Sequence, residues 1–124
     1  MSPSYTRLLF RSGAIFNWLV GLPFLIALKP VAELLGLTLN PAAALFIHVT
    51  MGLVIAFGWV YWLIARDSVR YRLYILLGMS LKIMVVTLFC AHWLNGGIPW
   101  QLPALASGDT VYALLFWMYY QRTA

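Results

Sequence analysis

Charged residues are scarce in this sequence: eight are basic and three are acidic, together 9% of 124 residues, against about 25% in soluble globular chains. Apolar residues make up 64%, against roughly 45–50% in soluble chains. A soluble chain of this length keeps much of its surface in water, and so few charges would not solvate it. We therefore predict a single integral membrane domain over residues 1–124, with the lipid bilayer as the solvent for most of its surface.

Cysteine and catalytic motifs are equally sparse. Cys90 is the only cysteine, which excludes an intrachain disulfide. The sequence has no Gly-x-Ser-x-Gly, no phosphate-binding glycine loop, no His-Glu-x-x-His and no Cys-x-x-Cys, and this argues against an enzyme. The net charge of +5 does not indicate nucleic-acid binding, because the basic residues flank apolar stretches and form no basic cluster.

Long apolar stretches are what the sequence has in abundance. Crossing a bilayer core of about 30 Å takes around 20 helical residues. Four stretches qualify, at about residues 8–28, 42–65, 73–94 and 102–121. We expect an all-α fold: a four-helix transmembrane bundle of up-down-up-down topology. The segment Pro30–Leu39 is too short to span and is predicted to form a short interfacial helix between helices 1 and 2.

The fourth stretch is the weakest of the four. To span, it must take Ser107 and Asp109 into the membrane. One alternative is a broken segment over residues 98–107 followed by a short helix. A related one is that Asp109 caps that short helix at the membrane surface, since aspartate is a favourable N-cap.

The basic residues predict the orientation. With four spans, six arginines lie on the side shared by both termini and the middle loop, namely Arg7, Arg11, Arg66, Arg70, Arg72 and Arg122. The opposite side carries only Lys29. Cytoplasmic loops carry the excess of lysine and arginine, so both termini are predicted to be cytoplasmic, in a multi-pass protein of the bacterial cytoplasmic (inner) membrane.

Lys82 is the most costly residue in this arrangement, because it lies near the middle of the third span. Insertion scales put a lysine there at about 2.5–3.5 kcal/mol, and from mid-span its side chain reaches water poorly. Lys82 should therefore face the interior with a partner, and Asp109 is the candidate. The pair is either a structural anchor between spans three and four, or part of a proton-coupled, ion or anionic-ligand site.

Two further polar side chains are candidates for the interior of the helix bundle beside Lys82. Asn17 lies near mid-span on a stripe of small residues with Gly13 and Gly21, which allows a neighbouring helix to approach closely. His48 lies seven residues into the second span. The predicted ligand or ion pocket consists of Asn17, His48, Lys82 and Asp109.

His48 and His92 also suggest a cofactor site. Antiparallel spans would put both histidines in the outer half of the membrane, on the same side as Glu33 and Asp109. Two histidines with two carboxylates suit a transition metal, and a pair of histidines from facing helices suits haem. Each histidine is equally compatible with an ordinary interhelical hydrogen bond.

Three classes of function remain open from the sequence. The first is an accessory or structural subunit that associates with itself as a homo-oligomer or with a larger membrane complex. The second is a small transporter, channel or ligand binder with the polar pocket around Lys82 and Asp109. The third is a haem- or metal-binding redox protein that uses His48 and His92.

Overall fold

The computed structural model describes residues 2–123 and consists of five helices, with no strand in that range. They are α1 (Pro3–Ile26), α2 (Leu28–Leu35), α3 (Pro41–Arg66), α4 (Arg72–Leu94) and α5 (Gln101–Arg122). The all-α prediction is therefore confirmed for this part of the chain.

Two helices begin with the same local signal, a capping side chain followed by proline. Ser2 accepts a hydrogen bond from the backbone N–H of Tyr5 (3.2 Å), and Pro3 opens α1. Asn40 accepts one from the N–H of Ala43 (2.8 Å), and Pro41 opens α3. The cap satisfies an N–H that has no partner inside the helix, and proline lacks an N–H to leave unsatisfied.

The connection between α1 and α2 differs from the prediction by a few residues. Helix α1 ends at Ile26 rather than at residue 28, and α2 begins at Leu28 rather than Pro30. Pro30 becomes the third residue of α2, where its missing N–H costs nothing because the first turn of a helix has no intrahelical acceptors. Gly36, with φ 72°, ends α2 in the left-handed conformation that glycine adopts readily, so this helix stops short of Leu39.

Three helices, α1, α3 and α4, are long and apolar enough to cross a membrane. Helix α5 has 22 residues and is continuous from Gln101 onwards, so the predicted alternative of a broken segment over residues 98–107 is wrong. Its first turns carry polar residues, including Ser107 and Asp109, and it is not among the helices that composition alone marks as spans. Of the four predicted spans, three thus have the length and composition of a membrane-spanning helix.

The four long helices pack side by side, and each is antiparallel to its neighbours. Consecutive long helices contact each other, α1 with α3, α3 with α4 and α4 with α5. Helices α1 and α5 also meet, since the rings of Phe10 and Phe116 stack with centroids 4.9 Å apart. Helix α2 packs against α1.

Most of the buried core lies towards the end of the molecule formed by the start of α1, the end of α3, the start of α4 and the end of α5. We call this the arginine end, because the six arginines lie near it. The core cluster comprises Leu9, Phe10, Ala14, Tyr61, Ile64, Ala65, Ile75, Met79, Phe116 and Tyr119. The other end of the four helices is the opposite end.

Candidate functional site

Lys82 lies in the middle of α4 with only 2% of its surface exposed. Its Nζ donates a hydrogen bond to Oδ1 of Asp109 at 2.6 Å, and a second to Oδ1 of Asn17 at 3.3 Å. A charge-assisted hydrogen bond of this length is among the stronger side-chain contacts. The predicted interior position of Lys82 and its pairing with Asp109 are confirmed.

Asp109 lies two turns inside α5, which begins at Gln101. The predicted alternative that Asp109 caps a short fourth helix is therefore wrong. Its side chain is 22% exposed, in contrast to that of Lys82. The carboxylate thus forms the more open side of the ion pair.

Asn17 connects the ion pair to the other two long helices. Its Oδ1 accepts the hydrogen bond from Lys82, while its Nδ2 donates to the backbone carbonyl of Val54 on α3 at 2.9 Å. The side-chain amide of Asn17 therefore accepts a hydrogen bond from α4 and donates one to α3. We call Asn17, Lys82 and Asp109 the polar network; with the carbonyl of Val54 it touches all four long helices.

The glycines on either side of Asn17 bring α1 close to its neighbours. A Cβ atom on Gly13 would lie 3.2 Å from Cζ of Phe116, and one on Gly21 would lie 2.8 Å from Cγ1 of Ile55. The predicted stripe of small residues is confirmed, and it places the Asn17 amide within reach of α3 and α4.

Three aromatic rings surround the ammonium group. The Nζ of Lys82 lies 5.3 Å from the ring centroid of Phe16, 5.2 Å from that of Tyr61 and 5.6 Å from that of Tyr112. The faces of such rings attract a cation within about 6 Å. This aromatic cage was not predicted from the sequence, although Phe16 adjoins Asn17 and Tyr112 follows Asp109 by one helical turn.

A small cavity of about 70 Å³ adjoins the polar network. All four long helices line it, with Thr50 and Val54 from α3 and Phe89 from α4 among the contributors. A cavity needs roughly 10–15 Å³ of such space to hold one water, so this one has room for a few waters. Nearby, the hydroxyl of Tyr61 is buried without a hydrogen-bond partner in the described residues.

His48 does not join the polar network. Its side chain is exposed on α3, and it is not among the residues that line the cavity. His92 and Glu33 are exposed as well. Within residues 2–123, no group of three or more histidine, cysteine, aspartate or glutamate side chains is arranged to hold a metal ion. The haem or metal site remains a prediction.

No protein-family model, no curated protein and no solved structure matches this chain. Its function is therefore inferred below from the chemistry of the polar network. The ammonium of Lys82 has three donors, two of which are used by side-chain oxygens while rings cover its other surroundings. Such a group holds helices together, and the neighbouring cavity admits only very small polar guests.

Proposed function

We propose that this chain is a four-span membrane protein of the bacterial cytoplasmic membrane, with α5 as the fourth span of an up-down-up-down transmembrane bundle. Helix α5 has 22 residues, about 33 Å at 1.5 Å per residue, which matches the bilayer core. Its carboxylate, Asp109, is paired with Lys82, so both charges enter the membrane already partnered.

The arginines support an orientation with both termini in the cytoplasm. Two of them, Arg66 and Arg72, flank the loop between α3 and α4, and the others lie in the first half of α1, in that loop and at the end of α5. Lys29 is the one basic residue near the opposite end. This bias follows the positive-inside rule.

Within the membrane, we infer that the protein is an accessory or structural subunit that associates with copies of itself or with a larger membrane complex. The observation that carries this proposal is the polar network. It ties all four long helices together, and the cavity beside it has about 70 Å³, well below the roughly 300–1,000 Å³ of small-molecule sites. In this role Lys82 fastens the bundle and binds no substrate.

A second candidate function is the transport or binding of protons or small ions. The observation in its favour is the exposed 22% of Asp109, beside a cavity that has room for water. A carboxylate with a water-sized approach can exchange a proton or contact a cation. Under this proposal Lys82 is the group whose contact with Asp109 changes during transport.

The fastening role is tested by a double-variant cycle of Lys82→Met, Asp109→Leu and the two together. Lys82→Met alone leaves a partly buried carboxylate without its partner and is expected to lower the free energy of unfolding by up to about 3–5 kcal/mol, whereas Lys82→Met/Asp109→Leu recovers most of that loss. Lys29→Met is the matched control, because Lys29 is exposed, and it should change little. Equilibrium unfolding in mixed detergent micelles measures these variants and the unmodified protein. If Lys82→Met were as stable as the unmodified protein, the fastening role would be wrong.

The two candidate functions are separated in vesicles. The protein is reconstituted with a pH-sensitive dye inside, and dye response is followed after an external pH jump. An accessory subunit gives the leak rate of protein-free vesicles. A faster flux that the folded Lys82→Met/Asp109→Leu variant loses would establish the transport function instead.

A further inference from the structure

A second and larger cavity lies at the arginine end, away from the polar network. This crevice has a volume of about 410 Å³, within the roughly 300–1,000 Å³ of small-molecule sites. Three arginines line it, Arg7 from α1, Arg66 from α3 and Arg72 from α4, and the end of α5 contributes Thr123. We call it the arginine crevice.

The positive charge of the arginine crevice is not neutralised by the protein. None of its lining residues is acidic. Within residues 2–123, the one ion pair is that between Lys82 and Asp109, so no carboxylate of this region contacts a guanidinium group. Asp67, next to Arg66 in the chain, is the one acidic side chain among residues 60–75, so three guanidinium groups leave the concavity with an excess of positive charge that favours an anion.

Arg72 is held in a fixed orientation. Its guanidinium donates to the hydroxyl of Thr123 and to the backbone carbonyl of Tyr120, each at 2.8 Å, and lies 4.0 Å from the centroid of the Tyr120 ring. Arg7 and Arg66 are exposed, and within the described residues neither guanidinium makes a hydrogen bond to the protein. The crevice thus combines one preorganised arginine with two whose donors are available.

Helix dipoles give no net preference here, so the arginine side chains carry the anion site. The crevice is lined by Pro3, Thr6 and Arg7 from the first turns of α1, and by Arg72 at the first residue of α4. The ends of α3 and α5 line it as well, and the partial negative charge of these two C-termini offsets the partial positive charge of the two N-termini. Guanidinium groups bind phosphate oxygens in bidentate geometry, which suits Arg over lysine at such a site.

We propose that the arginine crevice binds a phosphate group, with the headgroup of an anionic phospholipid as its source. This inference rests on the four-span topology proposed above, in which the crevice lies at the level of the cytoplasmic headgroups, where basic pockets between helices suit anionic lipids. Ser68, which also lines it, supplies a hydroxyl for a headgroup oxygen. The binding site goes beyond the accessory role proposed above.

The test measures binding of short-chain lipids to the purified full chain in neutral detergent by isothermal titration calorimetry. Dihexanoyl-phosphatidylglycerol should bind at least tenfold more tightly than dihexanoyl-phosphatidylcholine, which carries the same phosphate but no net charge. Inorganic phosphate forms the second arm. Binding of inorganic phosphate as tightly as the anionic lipid supports the phosphate site and assigns its source to the aqueous phase.

Two double variants with the same change in charge provide the control. Arg7→Gln/Arg66→Gln should weaken binding of the anionic lipid at least tenfold, whereas Arg11→Gln/Arg70→Gln, with exposed arginines outside the crevice, should weaken it less than twofold. Equal weakening by both double variants would show a diffuse charge effect and overturn the proposal. So would the lack of any preference for the anionic lipid together with no binding of inorganic phosphate.

A third double variant tests the site even if the arginine-to-glutamine variants fail to fold. Arg7→Lys/Arg66→Lys keeps the charge and removes the bidentate donors, so it should weaken binding several-fold while thermal unfolding stays unchanged. Unaltered affinity in this folded variant would overturn the arginine-specific site. Because the crevice and the polar network share no residue, this test and the double-variant cycle at Lys82 fail independently.

Discussion

The two halves of the molecule are packed in different ways. In the half towards the arginine end, apart from the open arginine crevice at its surface, large side chains fill the space between helices, and Phe10, Tyr61 and Phe116 are completely buried. In the half towards the opposite end, a cavity of about 70 Å³ lies between the four helices. The polar network marks the border, since the ring of Tyr61 belongs to the aromatic core and also lies 5.2 Å from Nζ of Lys82.

On the four-span topology proposed above, this difference is a way for a small protein to hold four helices together in lipid. Lipid is as apolar as the side chains, so the hydrophobic effect does not drive helices together within it, and close packing and hydrogen bonds must do so. The arginine half relies on dense aromatic contacts. The opposite half has less of this packing, and the polar network secures the helices where the dense packing ends.

Glycine-to-alanine substitutions on the two sides of this border give the largest contrast. In Gly78→Ala the new Cβ atom would lie 2.6 Å from Cε1 of Tyr61, whose ring is completely buried. In Gly21→Ala it would lie 2.8 Å from Cγ1 of the half-buried Ile55 and 3.2 Å from the backbone oxygen of Met51, which is a less severe overlap. We expect Gly78→Ala to lower the free energy of unfolding by about 3 kcal/mol and Gly21→Ala by about 1 kcal/mol.

Gly52→Ala is the control for both. A Cβ atom there meets nothing within 4 Å, so this change should stabilise α3 by up to about 1 kcal/mol through helix propensity alone. Equilibrium unfolding in mixed micelles measures the three variants. Equal losses in Gly78→Ala and Gly21→Ala would show that the two halves resist overpacking to the same degree.

Two alanine-to-valine substitutions test the same difference in packing between the two halves, with a smaller expected loss of stability. Ala14 is completely buried in the core cluster, whereas Ala106 is buried but lines the cavity. Ala14→Val should cost about 1–2 kcal/mol by overpacking, while Ala106→Val should be close to neutral because its added methyl groups enter existing space. Thermal unfolding of the two variants in one detergent measures the difference. A larger loss in Ala106→Val than in Ala14→Val would contradict the assignment of the looser half.

The bounds of α3 and α4 were predictable because their apolar stretches end at polar and charged residues. Their starts, predicted at about residues 42 and 73, agree with the structure to within a residue, whereas α1 begins at Pro3 and not near residue 8. The pairing of Lys82 with Asp109 was also predictable, since a charge at mid-span must find a partner and the sequence offers only three carboxylates. Both predictions succeed because the alternatives, a charged residue or an unpaired charge inside the membrane, carry a large cost in free energy.

The outward position of His48 was not predictable in the same way. In a soluble helix, polar residues mark the outer face, but here both the interior and the lipid-facing sides are apolar, so periodicity does not identify the buried face. His48 lies on the exposed side of α3, while Met51, three residues later, is buried. The same ambiguity concealed the aromatic cage, because nothing in the sequence showed that Tyr61 faces Lys82.

The smallest effect is expected from the two histidines, both near the opposite end. His48→Ala and His92→Ala should each change the free energy of unfolding by less than about 0.5 kcal/mol, because both side chains are exposed and neither contributes to the core. Visible absorption of the protein purified in detergent accompanies this measurement. A Soret band that His48→Ala abolishes would show that two histidines outside the polar network hold haem, and the less densely packed half would then be a cofactor site. A featureless spectrum, with both variants unfolding like the unmodified protein, leaves the stability of that half to the network of Asn17, Lys82 and Asp109.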